Sequence, residues 1–354
     1  MRLAVLAALD SPWSYGAMEA IARAGAEVHA FQVAGKGYID TQAPAWQDRI
    51  SNFEQVIATR TEVRGVGFLK YFQLGTWLNQ HFRTLRPDAV LSLYAGGLGL
   101  AALRARAPKV VLYAVGSDIL SVKPPAAWIT RRNLTKADLV VTNGEYLAER
   151  TKALAPLANV RNLLLGIDTN MYVPGRSGPT ASSFVCTRGF APVYNNMMIL
   201  RALARLPKDL PEWSFKFVAG GPLLEDHREW ARANLDQETY QRVTFLGGLA
   251  SDGVLRALQE SDFFVSMSKS DGTATSVLEA LSCGLIPILS DIPANRHWSQ
   301  HLVAVDDAAG LALVMERMIR EPRARNFHEA RDLVVRTADS ATNMRQLVNW
   351  IGAL

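Results

Sequence analysis

The stretch SKSDGTATSVLEALSCGLIPILSD, residues 268–291, places a polar loop, a helix and a strand one after another. Asp271 opens a run of glycine and small hydroxyl residues, and Glu279 lies on an apolar helical pattern that stops at Gly284. The apolar run LIPIL that follows predicts a buried strand. The segment therefore predicts an α/β unit whose loop carries an acid at each end, and its ligand has to use both acids.

Apolar strand-like runs alternate with helical patterns along the rest of the chain. The predicted strands are RLAVLAA, EVHAFQV, DAVLSLY, KVVLYAV, DLVVTN, SFVCTR, FKFVAGG, RVTFLGG, DFFVSM, LIPILS and LVAV. Such runs, separated by helices, predict doubly wound parallel sheets. A chain of 354 residues is long for one core, and Gly, Pro and Ser cluster at 174–183. We therefore expect two Rossmann-like domains joined by a short linker, with ligands at the carboxyl ends of the strands.

Charge and cysteine content limit the class of protein. Residues 1–165 hold 19 Lys and Arg against 12 Asp and Glu, a net charge of +7 within a total of +5. A basic first half fits an anionic partner such as a membrane surface or a phosphorylated acceptor. The two cysteines, Cys186 and Cys283, lie in apolar contexts and predict reduced thiols in an intracellular protein. No apolar run approaches the ~20 residues of a membrane-spanning helix.

Candidate donor-binding residues concentrate in the second half. Arg188 follows a predicted strand, where it is suited to bind a phosphate bidentately. Glycines that end two later strands allow a ligand close to the backbone, and these are Gly220, Gly221 and Gly248. Amides at a helix N-terminus favour a pyrophosphate, and here they belong to Gly272, Thr273, Ala274, Thr275 and Ser276.

The two acids of the opening stretch complete the site. A carboxylate one turn into the helix, Glu279, is suited to ribose hydroxyls, as in dinucleotide-binding folds. Asp271, before the helix, is placed for the hydroxyls of a second polyol. A ligand with phosphate between two polyols is a nucleotide-sugar, which explains why both acids are needed.

The order of these motifs resembles the retaining glycosyltransferases of family 4. The family signature has two acids eight positions apart, followed by Ala-(small)-x-Gly-x-Pro. Here it appears as Asp271 and then EALSCGLIP from Glu279, followed by SDIPANRHW. The match also covers GSD at 116–118, ADLVVTNGEYL at 137–147, LGIDTNMYVP at 165–174 and TRGFAPVYN at 187–195. It spans nearly the whole chain.

The resemblance implies a GT-B fold, two facing Rossmann-like domains with a cleft between them. The implied domains are 1–170 for the acceptor, 171–335 for the nucleotide-sugar, and a helix at 336–354 that crosses back to the first domain. It implies transfer of a sugar from a UDP- or GDP-type donor to an acceptor hydroxyl, with retention at the anomeric carbon. Asp271, Arg188 and Asp118 are the implied catalytic residues, and no metal or other cofactor is required.

This sequence departs from the family pattern in three places. Asp271 replaces the usual Glu and is one methylene shorter. Where the family usually has a lysine after the Arg188-type residue, this chain has Val193, Tyr194 and Asn195. Lys269 is then the candidate counter-charge for phosphate. The histidine that many members carry in the region of Tyr94 to Asp118 is also missing, because no histidine lies between His81 and His227.

The first half is expected to bind the acceptor. The candidate acceptor-binding residues follow the predicted strands of this half, and they are Ser14, Tyr15, Gly16, Tyr94 and Ser117. Asp118 either orients a substrate hydroxyl or caps the next short helix. The acceptor is expected to be a saccharide or a lipid-linked saccharide, in surface polysaccharide or glycolipid synthesis. The predicted location is the cytoplasm, with peripheral contact to an anionic membrane at its inner face and no nucleic-acid partner.

Two alternatives remain beside the glycosyltransferase. One is a sugar-nucleotide epimerase of the same fold, and the other is a non-catalytic subunit that binds a nucleotide-sugar. A dinucleotide-dependent oxidoreductase would need G-x-G-x-x-G after its first strand, and LAALDSPWSYG lacks that run. Release of a nucleoside diphosphate would separate an enzyme from a binding subunit.

Overall fold

The computed structural model describes residues 1–7, 12–33, 56–61, 67–175, 182–321 and 327–354. They form two compact units, Met1–Gly166 with Asp339–Leu354 (unit 1) and Ile167–Ala338 (unit 2). The predicted boundaries, 170/171 and 335/336, differ from these by a few residues each. The chain enters and leaves unit 2 at one point, because the Ile167 amide donates to the Ala338 carbonyl at 2.9 Å. Most of the Gly-Pro-Ser cluster at 174–183 lies outside the described residues.

Unit 1 contains a parallel sheet of seven described strands in the order β3-β2-β1-β4-β5-β6-β7. The strands are β1 (Arg2–Ala7), β2 (Glu27–Val33), β3 (Val56–Thr61), β4 (Ala89–Ser92), β5 (Val110–Ala114), β6 (Leu139–Thr142) and β7 (Val160–Asn162). The central strands are buried on both faces, as their continuous apolar runs predict. The edge strands β3 and β7 were not predicted, because they lack such runs: Ile57 is 57% exposed, and β7 is mostly exposed.

Helices cover both faces of this sheet. Their bounds are α1 (Pro12–Arg23), α2 (Leu69–Leu85), α3 (Gly97–Arg104), α4 (Ser117–Leu120), α5 (Ala126–Lys136), α6 (Glu145–Leu154) and, from the end of the chain, α14 (Ser340–Gly352). One buried layer contains α1 and α14, where Met344, Leu347 and Ile351 pack with Met18 and Ile21. The other layer contains α2, α3, α5 and α6. The last helix therefore belongs to unit 1, although the chain reaches it through unit 2.

Unit 2 contains a parallel sheet of six described strands in the order β10-β9-β8-β11-β12-β13. The strands are β8 (Ser182–Cys186), β9 (Trp213–Phe217), β10 (Val243–Phe245), β11 (Phe263–Ser266), β12 (Ile286–Ser290) and β13 (His301–Val303). The strand order reverses between β8 and β11, which are hydrogen-bonded neighbours. Ligands of open α/β sheets bind beyond the carboxyl ends of the strands at such a reversal.

The helices of unit 2 complete its two outer layers. Their bounds are α7 (Asn196–Leu203), α8 (Leu224–Asn234), α9 (Gln237–Gln241), α10 (Ser251–Gln259), α11 (Thr275–Ser282), α12 (Ala308–Arg320) and α13 (Phe327–Ala338), with short 3-10 turns at Pro192–Tyr194 and Pro293–Asn295. Within the described ranges of both units, no helix combines the length and the apolar character needed to cross a membrane.

Candidate active site

Arg188 lies just beyond the carboxyl end of β8, where the strand order of unit 2 reverses. Its Nη1 donates to the Ser276 hydroxyl at 2.9 Å, and its Nη2 donates to Asp271 Oδ2 at 2.5 Å. The Arg188 side chain is 11% exposed, and its Nε–H is buried without an acceptor among the described residues. Leaving a buried donor unsatisfied costs about 1–3 kcal/mol. The guanidinium is therefore held by two protein groups while one of its donors stays unmatched.

The pairing of Arg188 with Asp271 joins two residues that the sequence assigned to different parts of the donor. Arg188 was expected to bind the diphosphate and Asp271 the sugar. The two side chains form an ion pair and are only 11% and 18% exposed. The two assignments therefore concern one site. No sequence pattern predicted the pair, because the residues belong to segments that only the β8–β11 contact brings together.

Tyr194 stacks on the same guanidinium, with the Arg188 Cζ 4.3 Å from the ring centroid. The ring belongs to the 3-10 turn Pro192–Tyr194, and the next residue, Asn195, has left-handed backbone with φ 55°. The Asn195 side-chain amide donates to the Val305 carbonyl at 2.9 Å and holds this turn. The ring packs close to the backbone of Gly189, where a Cβ would lie 3.4 Å from it, in van der Waals contact. In the sequence, Tyr194 is distinguished only by standing near the position of the family's usual lysine.

A buried hydroxyl network fixes the loop that leads to Asp271. The Ser290 hydroxyl donates to the Ser268 carbonyl at 2.6 Å, and the Asn295 amide donates to the Ser290 carbonyl at 2.9 Å. The Lys269 amide then donates to the Val193 carbonyl at 2.8 Å, which ties this loop to the turn before Tyr194. The Lys269 side chain itself is exposed and forms no ion pair in the described part of the chain.

The loop at 272–276 leads into α11, which begins at Thr275. Gly272, Thr273 and Ala274 are buried, and the first turn of the helix contains no carboxylate. Amides at such a helix N-terminus attract an anion. Ser276 contributes more than its amide, because its hydroxyl accepts the hydrogen bond from Arg188. The predicted phosphate loop and the predicted phosphate-binding arginine are therefore in direct contact.

Glu279 lies one turn into α11 and is partly buried. Burial raises the pKa of its carboxyl from 4.5 to about 7, although a hydrogen bond from Tyr172 and the charge of Arg188 both act to lower it. The Tyr172 carbonyl is held in turn by the Ser282 hydroxyl at 2.6 Å and by Arg331 at 2.7 Å. Tyr172 was not predicted as a site residue, since nothing in LGIDTNMYVP indicates that it contacts Glu279. The carboxyl is thus poised to change charge near neutral pH.

The three predicted glycines meet at the carboxyl ends of β9 and β10. Gly221 has φ 147°, and a Cβ there would lie 2.6 Å from the backbone N and O of Phe190. A Cβ on Gly220 would lie 3.8 Å from the Gly248 amide nitrogen, so these two backbones run close together. The Phe190 amide donates to the Gly220 carbonyl at 3.0 Å. The space that a side chain at 221 would need is therefore filled by the Phe190 backbone, and donor binding by these glycines stays a prediction.

In unit 1, Asp118 is bound to backbone on both of its oxygens. Oδ2 accepts from the Ala95 amide at 2.8 Å, while Oδ1 accepts from the amides of Val115 at 3.2 Å and Gly116 at 2.9 Å. Burial raises the pKa of Asp118, against the lowering effect of these hydrogen bonds. The carboxyl therefore links the loops after β4 and β5. Asp118 is the second residue of α4 and not its N-cap, which is Gly116, so the predicted capping role is replaced by hydrogen bonds to the loop before the helix. A role toward a substrate hydroxyl stays a prediction.

The predicted acceptor-binding residues occupy different environments. Ser14 and Tyr15 lie in α1 and are buried, at 0% and 5% exposed, whereas Gly16 in the same helix is exposed. Tyr94 is partly buried beside Trp13, with ring centroids 6.2 Å apart, and Ser117 is exposed. Gly16 and Ser117 are therefore accessible to a ligand, whereas Ser14 and Tyr15 are not. Acceptor binding by these residues stays a prediction.

Metal-binding side chains form no recognisable cluster in this structure. Within the described ranges, no group of three or more His, Cys, Asp or Glu side chains could hold a metal ion. Cys186 and Cys283 are buried free thiols, and burial raises their pKa to about 11 and about 12. Thiols with so high a pKa are protonated at neutral pH.

Comparison with known proteins identifies the family. Residues 182–321 match the model of glycosyl transferases group 1, and residues 14–164 match a glycosyl transferase 4-like domain. The two matches cover most of both units, and the chain belongs to the family 4 glycosyltransferases. Its two parallel-sheet domains have the GT-B fold. The matches are to transferases and give no support to the epimerase alternative.

Two curated relatives are mannosyltransferases. A GDP-mannose-dependent alpha-(1-6)-phosphatidylinositol monomannoside mannosyltransferase of Mycolicibacterium smegmatis is 26% identical over 212 residues, 54% of each chain. A GDP-mannose:cellobiosyl-diphosphopolyprenol alpha-mannosyltransferase of Xanthomonas oryzae pv. oryzae is 31% identical over 154 residues, 43% of this chain and 38% of the relative. The alignment thus spans about half or less of each relative's length.

Solved structures with the same fold match over the full chain. Anabaena HepE in complex with UDP and glucose has a TM-score of 0.78 at 15% identity, covering 100% of both chains. Sucrose-phosphate synthase from Thermosynechococcus elongatus has a TM-score of 0.79 at 15% identity, covering 100% of this chain and 99% of the other. At this level of identity the likeness establishes the fold alone.

Proposed function

We propose that this protein transfers a hexose from a nucleoside diphosphate donor to an acceptor hydroxyl, with retention at the anomeric carbon. The observation that carries the proposal is the Arg188 guanidinium. It is anchored on Asp271 and Ser276, has a buried donor with no acceptor among the described residues, and adjoins the acid-free first turn of α11. A diphosphate supplies the acceptors that this cluster of donors lacks.

The proposed roles follow from the charges in the site. Arg188 and the amides at 272–276 stabilise the negative charge that develops on the leaving diphosphate. Glu279 binds ribose hydroxyls, and Asp271 positions the sugar beside Arg188. The bond from the anomeric carbon to the diphosphate oxygen breaks, and the acceptor oxygen bonds to the same face. The acceptor proton passes to the leaving diphosphate. Because Arg188 and the helix N-terminus provide positive charge, we propose that no metal is required.

The donor can be identified by binding and turnover together. Unfolding temperatures with UDP, GDP, UDP-glucose and GDP-mannose would rank the donors, and a ligand at a hundred times its Kd adds about 2.7 kcal/mol of stability. GDP-mannose is the first donor to test, because both curated relatives are named for it. Turnover is then followed as nucleoside diphosphate release with and without EDTA, and the anomeric configuration of the product by NMR. An inverted product or loss of the rate in EDTA would refute the corresponding part of the proposal.

A non-catalytic subunit that binds a nucleotide-sugar is the second candidate. It is favoured by one observation, that Val193, Tyr194 and Asn195 replace the lysine usual in the family. Turnover with cellobiosyl-diphosphopolyprenol and phosphatidylinositol monomannoside as acceptors separates the two. Tight binding of a donor that is never consumed with any acceptor would favour the subunit.

We further propose that unit 1 binds the acceptor at an anionic membrane surface on the cytoplasmic side. The exposed side of α5 carries Trp128, Arg131, Arg132 and Lys136 at helical spacing, and Trp128 is 69% exposed. This helix contains no acidic residue. Exposed Trp flanked by basic residues is typical of helices that lie on anionic lipid. A lipid-linked or other saccharide acceptor fits such a location.

Sedimentation with vesicles of phosphatidylcholine and phosphatidylglycerol tests this membrane contact. Reversing two charges with Arg131→Glu and Arg132→Glu should reduce binding by more than tenfold in 50 mM salt, at about 1 kcal/mol for each basic residue. The matched control reverses Arg201 and Arg205, two exposed arginines of unit 2. Equal losses in both double variants would show a general effect of net charge instead of a surface on α5.

A further inference from the structure

We infer that Tyr194 is a positioning residue that fixes Arg188 for diphosphate binding, in place of a second cation. The inference rests on the proposed function and adds a residue to it. The Tyr194 ring lies 4.3 Å from the Arg188 Cζ, while Asp271 and Ser276 hold the two terminal nitrogens of the same guanidinium. Arg188 is thus fixed through its face and its terminal nitrogens, and these contacts leave its Nε–H unmatched.

Hydrogen bonds on both sides hold the turn that carries the ring. The Tyr194 amide donates to the Ala191 carbonyl at 3.0 Å, and the Lys269 amide donates to the Val193 carbonyl at 2.8 Å. On the other side, Asn195 adopts φ 55° and donates to the Val305 carbonyl. A Cβ at Gly189 would lie 3.4 Å from the ring, in van der Waals contact with it, so the ring packs close to the backbone here. These contacts give Tyr194 a fixed position that a freely rotating surface side chain would not have.

The stacked ring has an electrostatic consequence for phosphate binding. An aromatic face attracts the guanidinium and prevents water from solvating that side of it. The positive charge of Arg188 is then screened less by solvent and faces the donor as a fixed fork, which suits bidentate contact with phosphate oxygens. A lysine at this position would add a second charge but could not stack. One oriented arginine therefore takes the place of the arginine and lysine that are usual in the family.

The test compares Tyr194→Phe, which keeps the ring, with Tyr194→Leu, which removes it. Calorimetry measures the affinity of each variant for the nucleoside diphosphate and monophosphate of whichever base binds the wild-type protein. We expect Tyr194→Leu to lose about threefold to thirtyfold in diphosphate affinity, the range of cation–π contacts from exposed to desolvated. The loss for monophosphate should be smaller. Tyr194→Phe should stay within about twofold of wild type in both.

Tyr240→Leu is the matched control, because Tyr240 is a partly buried tyrosine of unit 2 on α9. It should bind both nucleotides as wild type does. Equal losses for diphosphate and monophosphate, equal losses in Tyr194→Phe and Tyr194→Leu, or wild-type binding by Tyr194→Leu would each overturn the inference. If wild-type protein binds neither UDP nor GDP, the proposed function fails, and that outcome is distinct from a failure of the Tyr194 assignment.

Discussion

Replacing Glu279 by glutamine should abolish a pH dependence of nucleotide binding that its carboxyl creates. Burial raises the pKa of Glu279 to about 7. The carboxyl is then about one-tenth ionised at pH 6 and about nine-tenths ionised at pH 8. If ribose hydroxyls bind the ionised form, the affinity for UDP or GDP rises about tenfold between these pH values. At pH 8, Glu279→Gln should lose about tenfold to a hundredfold, the worth of a hydrogen bond to a charged group.

The same pKa shift predicts that the stability of the folded protein falls as the pH rises, whereas the nucleotide affinity rises. The folded pKa lies above the unfolded value of 4.5, so the folded state retains the proton more strongly. The contribution of this carboxyl to stability is fully present below pH 4.5 and is lost as the pH rises through about 7. At about 1.4 kcal/mol per pKa unit, the loss amounts to roughly 3 kcal/mol. Relative to wild type, Glu279→Gln should therefore be more stable at pH 8 than at pH 5.

Calorimetric titration at pH 6, 7 and 8 and urea unfolding at pH 5 and 8 measure both effects. Glu229→Gln is the matched control, because Glu229 is exposed on α8 in the same unit. Its affinity and its stability should follow the wild-type values at every pH. The ligand phosphates titrate in all three proteins, so the informative quantity is the ratio of wild-type to variant affinity. A ratio that stays constant from pH 6 to pH 8, or near one at pH 8, would refute the assignment of Glu279 to the ribose.

Four further substitutions have defined outcomes. Asp271→Asn should lower the rate of transfer more than the affinity for nucleoside diphosphate, because the proposed partner of Asp271 is the sugar. Equal losses in the steady-state rate and in the calorimetric affinity would assign Asp271 to the phosphate instead. Gly221→Ala should lower the free energy of unfolding in urea by more than ~2 kcal/mol, because φ 147° and the 2.6 Å approach to Phe190 both exclude a Cβ. At Gly248 the atom nearest to a Cβ would be 3.7 Å away, so Gly248→Ala should cost less than about 1 kcal/mol. Asp118→Asn should lower the free energy of unfolding by about 1–3 kcal/mol, because the new NH2 group would face backbone N–H groups that now donate to the carboxylate. Wild-type stability with a reduced rate of transfer would instead support a catalytic role for Asp118.

The sequence determined those features that follow from local patterns of burial. Central strands of a parallel sheet are covered on both faces, so each appears as a continuous apolar run, and the two-domain α/β fold follows from their alternation with helices. Helix α11, which begins beside the 272–276 loop, was recognisable because its buried residues recur at helical spacing and the pattern stops at Gly284. The edge strands β3 and β7 lack the continuous apolar pattern, because part of each strand faces solvent, where apolar residues are not required: Ile57 of β3 is 57% exposed, and β7 is mostly exposed.

Only the tertiary structure decided which polar groups meet in the site. Arg188 contacts Asp271 and Ser276 because β8 and β11 are neighbours, and nothing in either segment fixes that pairing. Tyr172 reaches Glu279 from the segment that leads into unit 2, and its contact with a buried carboxyl is invisible in a linear motif. Burial leaves a periodic pattern along the chain. A hydrogen bond between distant segments depends instead on strand order and register, and no local pattern in the sequence gives these.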